Sequence, residues 1–340
     1  MRYIVTVLVL LLVAACDGSP QASTETSFSG STMGTTFMVK VIDLPDDLPA
    51  ETVRNDLSAL LKDVNDKMSL WVKDSELVRF NSSASTDWIS VSQDLYHVTE
   101  AAQKISVLTD GRFDVTMEPL IKLWGFSTRE KSNEPPSDDD IAQALSVVGY
   151  QKVETRAEPM AMRKSMPGVT VNLSAIAKGY GIDQLARYLE SQGIENYMVE
   201  IGGDLRVKGL NARQEAWQIA IEKPDVTSRS VYRVFPVHGT GMATSGDYRN
   251  FFEANGKRYT HIIDPRTGRP VAHQLASVTV LSETAMQADG LATALLAMGE
   301  VDGPALAEKN GIAAFFLIRE GQGFVEKQTS HFEAYENGVQ

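Results

Sequence analysis

The 340-residue chain predicts a mixed α/β (α+β) fold. Three observations carry this. Phe37, Val39 and Val41 alternate with polar neighbours, the period-two pattern of a half-buried strand. Val53, Leu57, Leu60, Leu61 and Val64 recur at helical spacing. From residue 168 on, the chain reads strand, tight turn, helix, strand and then hairpins, a mixture that neither an all-α nor an all-β domain gives.

Taken in order, residues 1–15, "MRYIVTVLVLLLVAA", have the layout of a secretory signal: a positive Arg2, an apolar run from Ile4 to Val13, then small residues. The run is short for a permanent membrane span. Cys16 follows and is the only cysteine. V-A-A-C reads as a bacterial lipobox, with Cys16 lipidated as the mature N-terminus; the alternative is a plainly cleaved signal. Asp17 resembles the mark of lipoproteins kept on the inner membrane, which places the mature protein there, facing the periplasm. Residues 16–27 are polar and read as a tether, leaving 28–335 as a single domain.

Within it, "SQDLYHVTEAAQKISVLTDGRFD" predicts a helix ending near Gly111, and "REKSNEPPSDDDIAQAL" a charged loop running into a helix capped near Ser137 or Asp138. Ile182, Leu185, Ala186 and Leu189 line one helical face, with Gly193 as its stop. Asn255-Gly256 predicts a hairpin and Asp264-Pro265 a turn. "ASVTVLS" is a strand, and "QADGLATALLAMG" (287–299) a helix. The formal charge of -12 argues against a nucleic-acid surface; an anionic nucleotide would need local devices such as glycine loops, helix ends or a metal.

Five stretches have the chemistry for such devices. "VNLSAIAKGYG" is a strand-to-helix junction with free backbone groups, and Lys178 suits phosphate or simply faces solvent. Gly202-Gly203 and Thr244-Ser245-Gly246 permit close backbone approach or form ordinary turns. His261 is one of five histidines, fit to take a proton near neutral pH or to pack in a strand. Asp289 and Thr293 sit four apart on an apolar helix with no Lys or Arg nearby in sequence. They present two oxygens on one face, as a magnesium site requires; a helix cap and a hydroxyl bonded back to its own helix are the alternatives.

The ordered set "GSTMGTTF", "SLWVKDSELVRFN", "GRFDVTMEPLIKLWGF", "VNLSAIAKGYGID", "VEIGGDLRVKG", "TSGDYRNFFEANGKRYTHIIDPRTGRP" and "SVTVLSETAMQADGLATALLAMG" resembles the ApbE-type FAD:protein FMN transferases over most of residues 29–320. The resemblance implies two packed α/β lobes with an FAD and Mg²⁺ site in the cleft between them. It implies transfer of FMN from FAD to a threonine hydroxyl of a partner protein, within a D-G-x-[ST]-[GSA]-A-T type target, releasing AMP. Met33, Trp71, Arg112, Phe113, Asp114, Asn172, Lys178 and Ile263 match FAD-contacting positions, and Ala175 (by its carbonyl), Asp289 and Thr293 match magnesium ligands. The cation facing Asp289 would then be Mg²⁺. His261 is the candidate base. Some relatives carry an acidic residue in place of Lys178. The partners implied are membrane subunits of sodium-pumping NADH:quinone reductase and of Rnf-type complexes. A Mg²⁺-dependent FAD pyrophosphatase and a non-catalytic flavin-binding lipoprotein are the alternatives.

Overall fold

A computed structural model of the chain describes residues 23–127, 134–225 and 230–337. The signal segment and Cys16 lie outside the described residues.

The chain opens as a hairpin, β1 (Glu25–Thr32) and β2 (Thr35–Ile42), where the sequence suggested one strand. The sheet thus begins at Glu25, and residues 25–27, expected as tether, belong to it. There follow α1 (Ala50–Met68), α2 (Glu76–Ser82), β3 (Ile89–Ser90), α3 (Gln93–Leu108), α4 (Glu118–Leu123) and α5 (Asp138–Leu145). Ser75, Ser92 and Ser137 cap α2, α3 and α5 by accepting a backbone N–H of the first turn. Next come β4 (Val153–Arg156), β5 (Ala161–Lys164), α6 (Ala177–Ser191), β6 (Tyr197–Ile201), β7 (Asp204–Lys208), β8 (Trp217–Glu222), β9 (Val231–Val237) and β10 (Gly241–Gly246). The last third holds β11 (Phe251–Ala254), β12 (Lys257–Thr260), β13 (Ile263–Asp264), β14 (Arg269–Pro270), β15 (Leu275–Ser282), α7 (Ala285–Lys309), β16 (Ala313–Glu320), β17 (Gly323–Gln328) and α8 (Ser330–Glu336).

The expected mixed α/β class is what forms. Its backbone is an eight-stranded sheet in the order β1-β2-β6-β7-β10-β15-β16-β17, every neighbouring pair antiparallel. Alternation along β16 supplies two cores at once. Phe316 faces the main core with α7 and α3, while Phe315 faces a second core closed by β8, β9 and α8. The β1–β2–β6 end packs on α1 and α6. A smaller core joins α4 and α5 to the β11–β12 hairpin that turns at Asn255-Gly256. There Trp124 is buried, stacks on Tyr259, and donates its indole N–H to the Gly268 carbonyl at 2.8 Å. That bond ties the end of α4 to the β13–β14 turn, and so helps position Ile263 on β13 and His261 in the link that precedes it.

Helix α7 is largely apolar and buried up to Gly299, where it breaks at a φ of +82° that favours glycine. Its first turn is held from a neighbouring helix. The buried Asp183 carboxylate of α6 accepts from the amides of Ala285 (3.0 Å) and Met286 (2.9 Å). Arg206 balances its charge at 2.9 Å. This fixes α7, and with it Asp289 and Thr293, against α6.

Candidate active site

A cavity of about 1030 Å³ lies between the main core and the smaller α4–β11–β12 core, large enough for a dinucleotide-sized molecule. One wall is apolar, formed by Leu70, Phe113, Met117, Ile121 and Phe126. Trp71 stands on this side and is 75% exposed, a bare aromatic ring at the rim. The opposite end is dense in charge and hydroxyls, with Lys178, Thr244, Ser245, Asp289 and Thr293, and with Gly202 and Gly203 beside them.

The strand-to-helix junction and the start of α7 meet at that end. Asp289 is buried, and its Oδ2 accepts the Gly179 N–H at 3.1 Å. The Lys178 ammonium faces Asp289, 3.5 Å from Oδ1, brought there by the fold from 111 positions away. Lys178 also pairs with Asp204, whose other oxygen accepts the Thr244 N–H at 3.0 Å. Burial by itself would lower the Lys178 pKa, but the charges of Asp289 and Asp204 outweigh it and raise it. Burial, reinforced by Asp204, raises Asp289, and Lys178 pulls it part of the way back.

Two carboxylates against one ammonium leave a net negative charge, and the other donors here are neutral oxygens. The Gly179 N–H is taken by Asp289, and among the described residues no protein hydrogen bond reaches the Ala175 carbonyl. Thr293 Oγ1 lies 3.1 Å from Ser245 Oγ. Among the described residues no three His, Cys, Asp or Glu side chains form a metal cage. A cation held here would rest on one carboxylate, one hydroxyl and one carbonyl, completed by water and substrate phosphate. That donor set fits Mg²⁺ and not a zinc-type ion.

His261 lines the same cavity. Its Nδ1 lies 3.0 Å from the Asn250 carbonyl, which therefore takes the Nδ1–H and leaves Nε2 as the basic nitrogen. Burial lowers its pKa, with the Asn250 bond and the Asp247 charge opposing, so the ring is neutral at pH 7.

Of the other expected contacts, Arg112, Phe113, Asp114, Asn172 and Ile263 all line the cavity. Asp114 is occupied with structure: its oxygens accept Thr116 N–H (2.7 Å), Thr116 Oγ–H (2.6 Å) and Tyr150 N–H (2.7 Å), while burial raises its pKa. Arg112 reaches Asp302 at 3.3 Å. Met33 does not line the cavity. It sits in the β1–β2 turn at φ +49°, packed between two cores and over Gly181, where an added Cβ would meet its Cε at 2.9 Å. Two buried acids at the site, Asp204 and Glu118, were not anticipated. The glycine pair before Asp204 was the available signal. Glu118 has none, since an acid in a helix's first turn is ordinary.

The fold and cavity define a cleft enzyme with an aromatic and apolar wall for a ring-bearing ligand and an acidic end that can take a cation. The chain belongs to the ApbE family, whose profile matches residues 33–316. It is 43% identical over 334 residues to the FAD:protein FMN transferase of Vibrio cholerae, covering 98% of each chain. It is 45% identical over 335 residues to that of Haemophilus influenzae, covering 97% of this chain and 96% of the relative. Among solved structures it is similar to the flavin transferase ApbE from Vibrio cholerae, with a TM-score of 0.86 at 43% identity, covering 92% of this chain and 99% of that one. The apo form of Pseudomonas stutzeri flavinyl transferase ApbE gives 0.84 at 36% identity, covering 92% and 97%.

Proposed function

We infer that this chain is an FAD:protein FMN transferase that uses Mg²⁺ and delivers FMN to a threonine hydroxyl. The observation that carries this reading is the gathering of Ala175, Lys178, Asp289, Thr293 and His261 around one cavity from three separate parts of the chain.

Asp289, Thr293 and the Ala175 carbonyl would hold the magnesium, which when bound neutralises pyrophosphate oxygens during attack. The protein's own part is positioning and charge. The aromatic rim and apolar wall hold a ring of FAD, and Lys178 adds positive charge at the phosphate end. The neutral His261 Nε2 takes the proton from the acceptor threonine as its oxygen bonds to the FMN phosphorus. The bond from that phosphorus to the bridging oxygen breaks, and AMP leaves with the electron pair.

The same proposal covers the setting. Lipidation at Cys16 would tether the enzyme to the periplasmic face of the inner membrane, and a shared membrane raises its effective concentration toward a membrane acceptor. Subunits of sodium-pumping NADH:quinone reductase or of Rnf-type complexes suit that geometry.

The test is the full chain with FAD, Mg²⁺ and an acceptor fragment bearing the target threonine. A covalent FMN mass increment on the acceptor with equimolar AMP upholds the transferase. AMP and free FMN with an unlabelled acceptor would make the enzyme a pyrophosphatase. FAD bound with neither product would leave a flavin-binding protein.

A further inference from the structure

The cavity wall carries a buried carboxylate that the transfer chemistry leaves unused. Glu118 opens α4 and is 4% exposed, yet it lines the cavity. One oxygen accepts from Asn172 Nδ2 at 2.6 Å. The other accepts from Ser127 Oγ at 3.0 Å and faces the Lys122 ammonium at 3.2 Å. Lys122 is 59% exposed, so solvent screens it and it is a weak counter-charge for a buried acid.

Asn172 is held from both sides. Its Oδ1 accepts the Ser174 N–H at 2.9 Å, which fixes the amide so that Nδ2 is the end facing Glu118. Nδ2 has a second hydrogen, and no acceptor among the described residues takes it. A carboxylate offers about four acceptor positions, and the contacts of Glu118 among the described residues use three. Two residues before Asn172, and on the same cavity, Thr170 Oγ1 is buried without any partner among the described residues. The neighbouring lining is Met117, Ile121 and Phe126. An acceptor beside a donor, set in an apolar wall, is the pattern that orients a planar heterocycle.

We propose that Glu118 and Asn172 read the hydrogen-bonding edge of one ring of FAD, Glu118 accepting a ring N–H and Asn172 donating to the acceptor next to it. This rests on FAD being the substrate. Both rings of FAD offer such a pair: the flavin imide N–H between its carbonyls, and the adenine amine beside its ring nitrogens. Both Glu118 oxygens already act as acceptors toward Asn172 and Ser127, so the side chain disfavours a ring that presents an acceptor at that place. Glu118 is thereby a specificity-determining residue for the reaction.

The experiment is calorimetric titration of the full chain and of Glu118→Gln with FAD, FMN and AMP, beside the Tm of each protein. Gln keeps the shape and an acceptor oxygen but not the charge. Glu118→Gln is expected to weaken FAD about tenfold at unchanged Tm, in the range of losing a charged hydrogen bond. A parallel loss for FMN alone assigns the flavin edge, and for AMP alone the adenine edge. A second readout needs no variant: FAD with hypoxanthine in place of adenine, or with a methylated flavin imide nitrogen, binds the wild type at least tenfold more weakly for whichever ring is read. Gln, able to present its amide N–H, narrows that gap for the hypoxanthine analogue. Unchanged FAD affinity in the variant together with full affinity for both analogues overturns the proposal. So does equal weakening of all three ligands with a fallen Tm, which would make Glu118 a support of the wall. Absence of FAD binding by the wild type would instead defeat the transferase reading itself.

Discussion

Lys178 and Asp289 stand 111 residues apart in the chain and meet across the contact of α6 with α7, Nζ 3.5 Å from Oδ1. The pairing depends on Asp183, which pins the first turn of α7, and on Asp204, which holds the same ammonium from β7. Asp289 is thus presented to the cavity with its charge only partly offset. The site keeps a negative balance that a divalent cation can meet.

Replacing Asp289 by Asn keeps an acceptor for the Gly179 N–H and removes the charge. FMN transfer is expected to fall more than about a hundredfold, since removing even a partner of a metal ligand costs roughly 10- to 100-fold. Tm should move little, because Lys178 retains Asp204. Acceptor labelling at saturating Mg²⁺ checks this, and transfer within threefold of wild type would remove Asp289 from the ligand set.

The His261 assignment has a pH signature. Burial lowers its pKa from 6.5, and a base acts in its neutral form. The rate should therefore be level around pH 7 and fall on acidification only below 6.5. His261→Gln is expected to lower transfer by about 10²–10⁴-fold and to erase that acid limb. Stability follows the same direction. The unfolded imidazole takes a proton below 6.5 while the folded one resists it, so stability is whole above 6.5 and declines as pH falls through the folded pKa. His273, also lowered by burial against the opposing charge of Glu300, with neither ring nitrogen hydrogen-bonded to a side chain among the described residues, adds to the decline. Melting curves between pH 7.5 and pH 5, rough bounds chosen to bracket the histidine range, read both effects.

Much of this architecture could be read from residue patterns, and the failures have physical causes. Alternation and helical spacing mark β2, α1 and α6, where one face is more buried than the other, while β15 and the first part of α7 show as near-continuous apolar runs because they are buried on both faces. The Asn255-Gly256 hairpin follows from turn chemistry alone. Short pairings such as β3 with β5, or β13 with β14, have too few residues to show a period. Asp289 was recognisable as out of place in an apolar helix, but its partner was not, because local sequence holds no record of a contact made 111 residues away. The packing of Met33 was hidden too: the turn at φ +49° sets it between two cores, which its motif does not announce.

Gly179 is where helix packing and the site coincide. A Cβ there would collide with the Ala285 backbone and lie 2.6 Å from Met286 Cα, atoms that cannot rotate aside. Gly179→Ala must push α7 off α6, at a cost of about 1–3 kcal/mol for overpacking, and carry Asp289 with it. Lower Tm and loss of transfer should appear together. Gly193→Ala is the control: nothing lies within 4 Å of its Cβ, so it meets only the strain of φ +76° and should leave transfer intact.

Trp71 separates binding from folding most cleanly. Its side chain is 75% exposed at the cavity rim, so removing it takes little from the core. Trp71→Ala should leave Tm within about a degree, as expected of a surface change away from packing. If the indole stacks on a ring of FAD, its loss costs about 1–3 kcal/mol, the worth of one aromatic–base stack. That is roughly a 5- to 150-fold rise in the Kd for FAD. Trp71→Phe keeps a ring and should recover most of the affinity. Quenching of tryptophan emission on FAD addition measures the wild-type contact directly, and calorimetry measures both variants. An Ala variant that binds FAD as tightly as wild type would place the ring recognition deeper in the cavity, on the apolar wall of Phe113, Ile121 and Phe126.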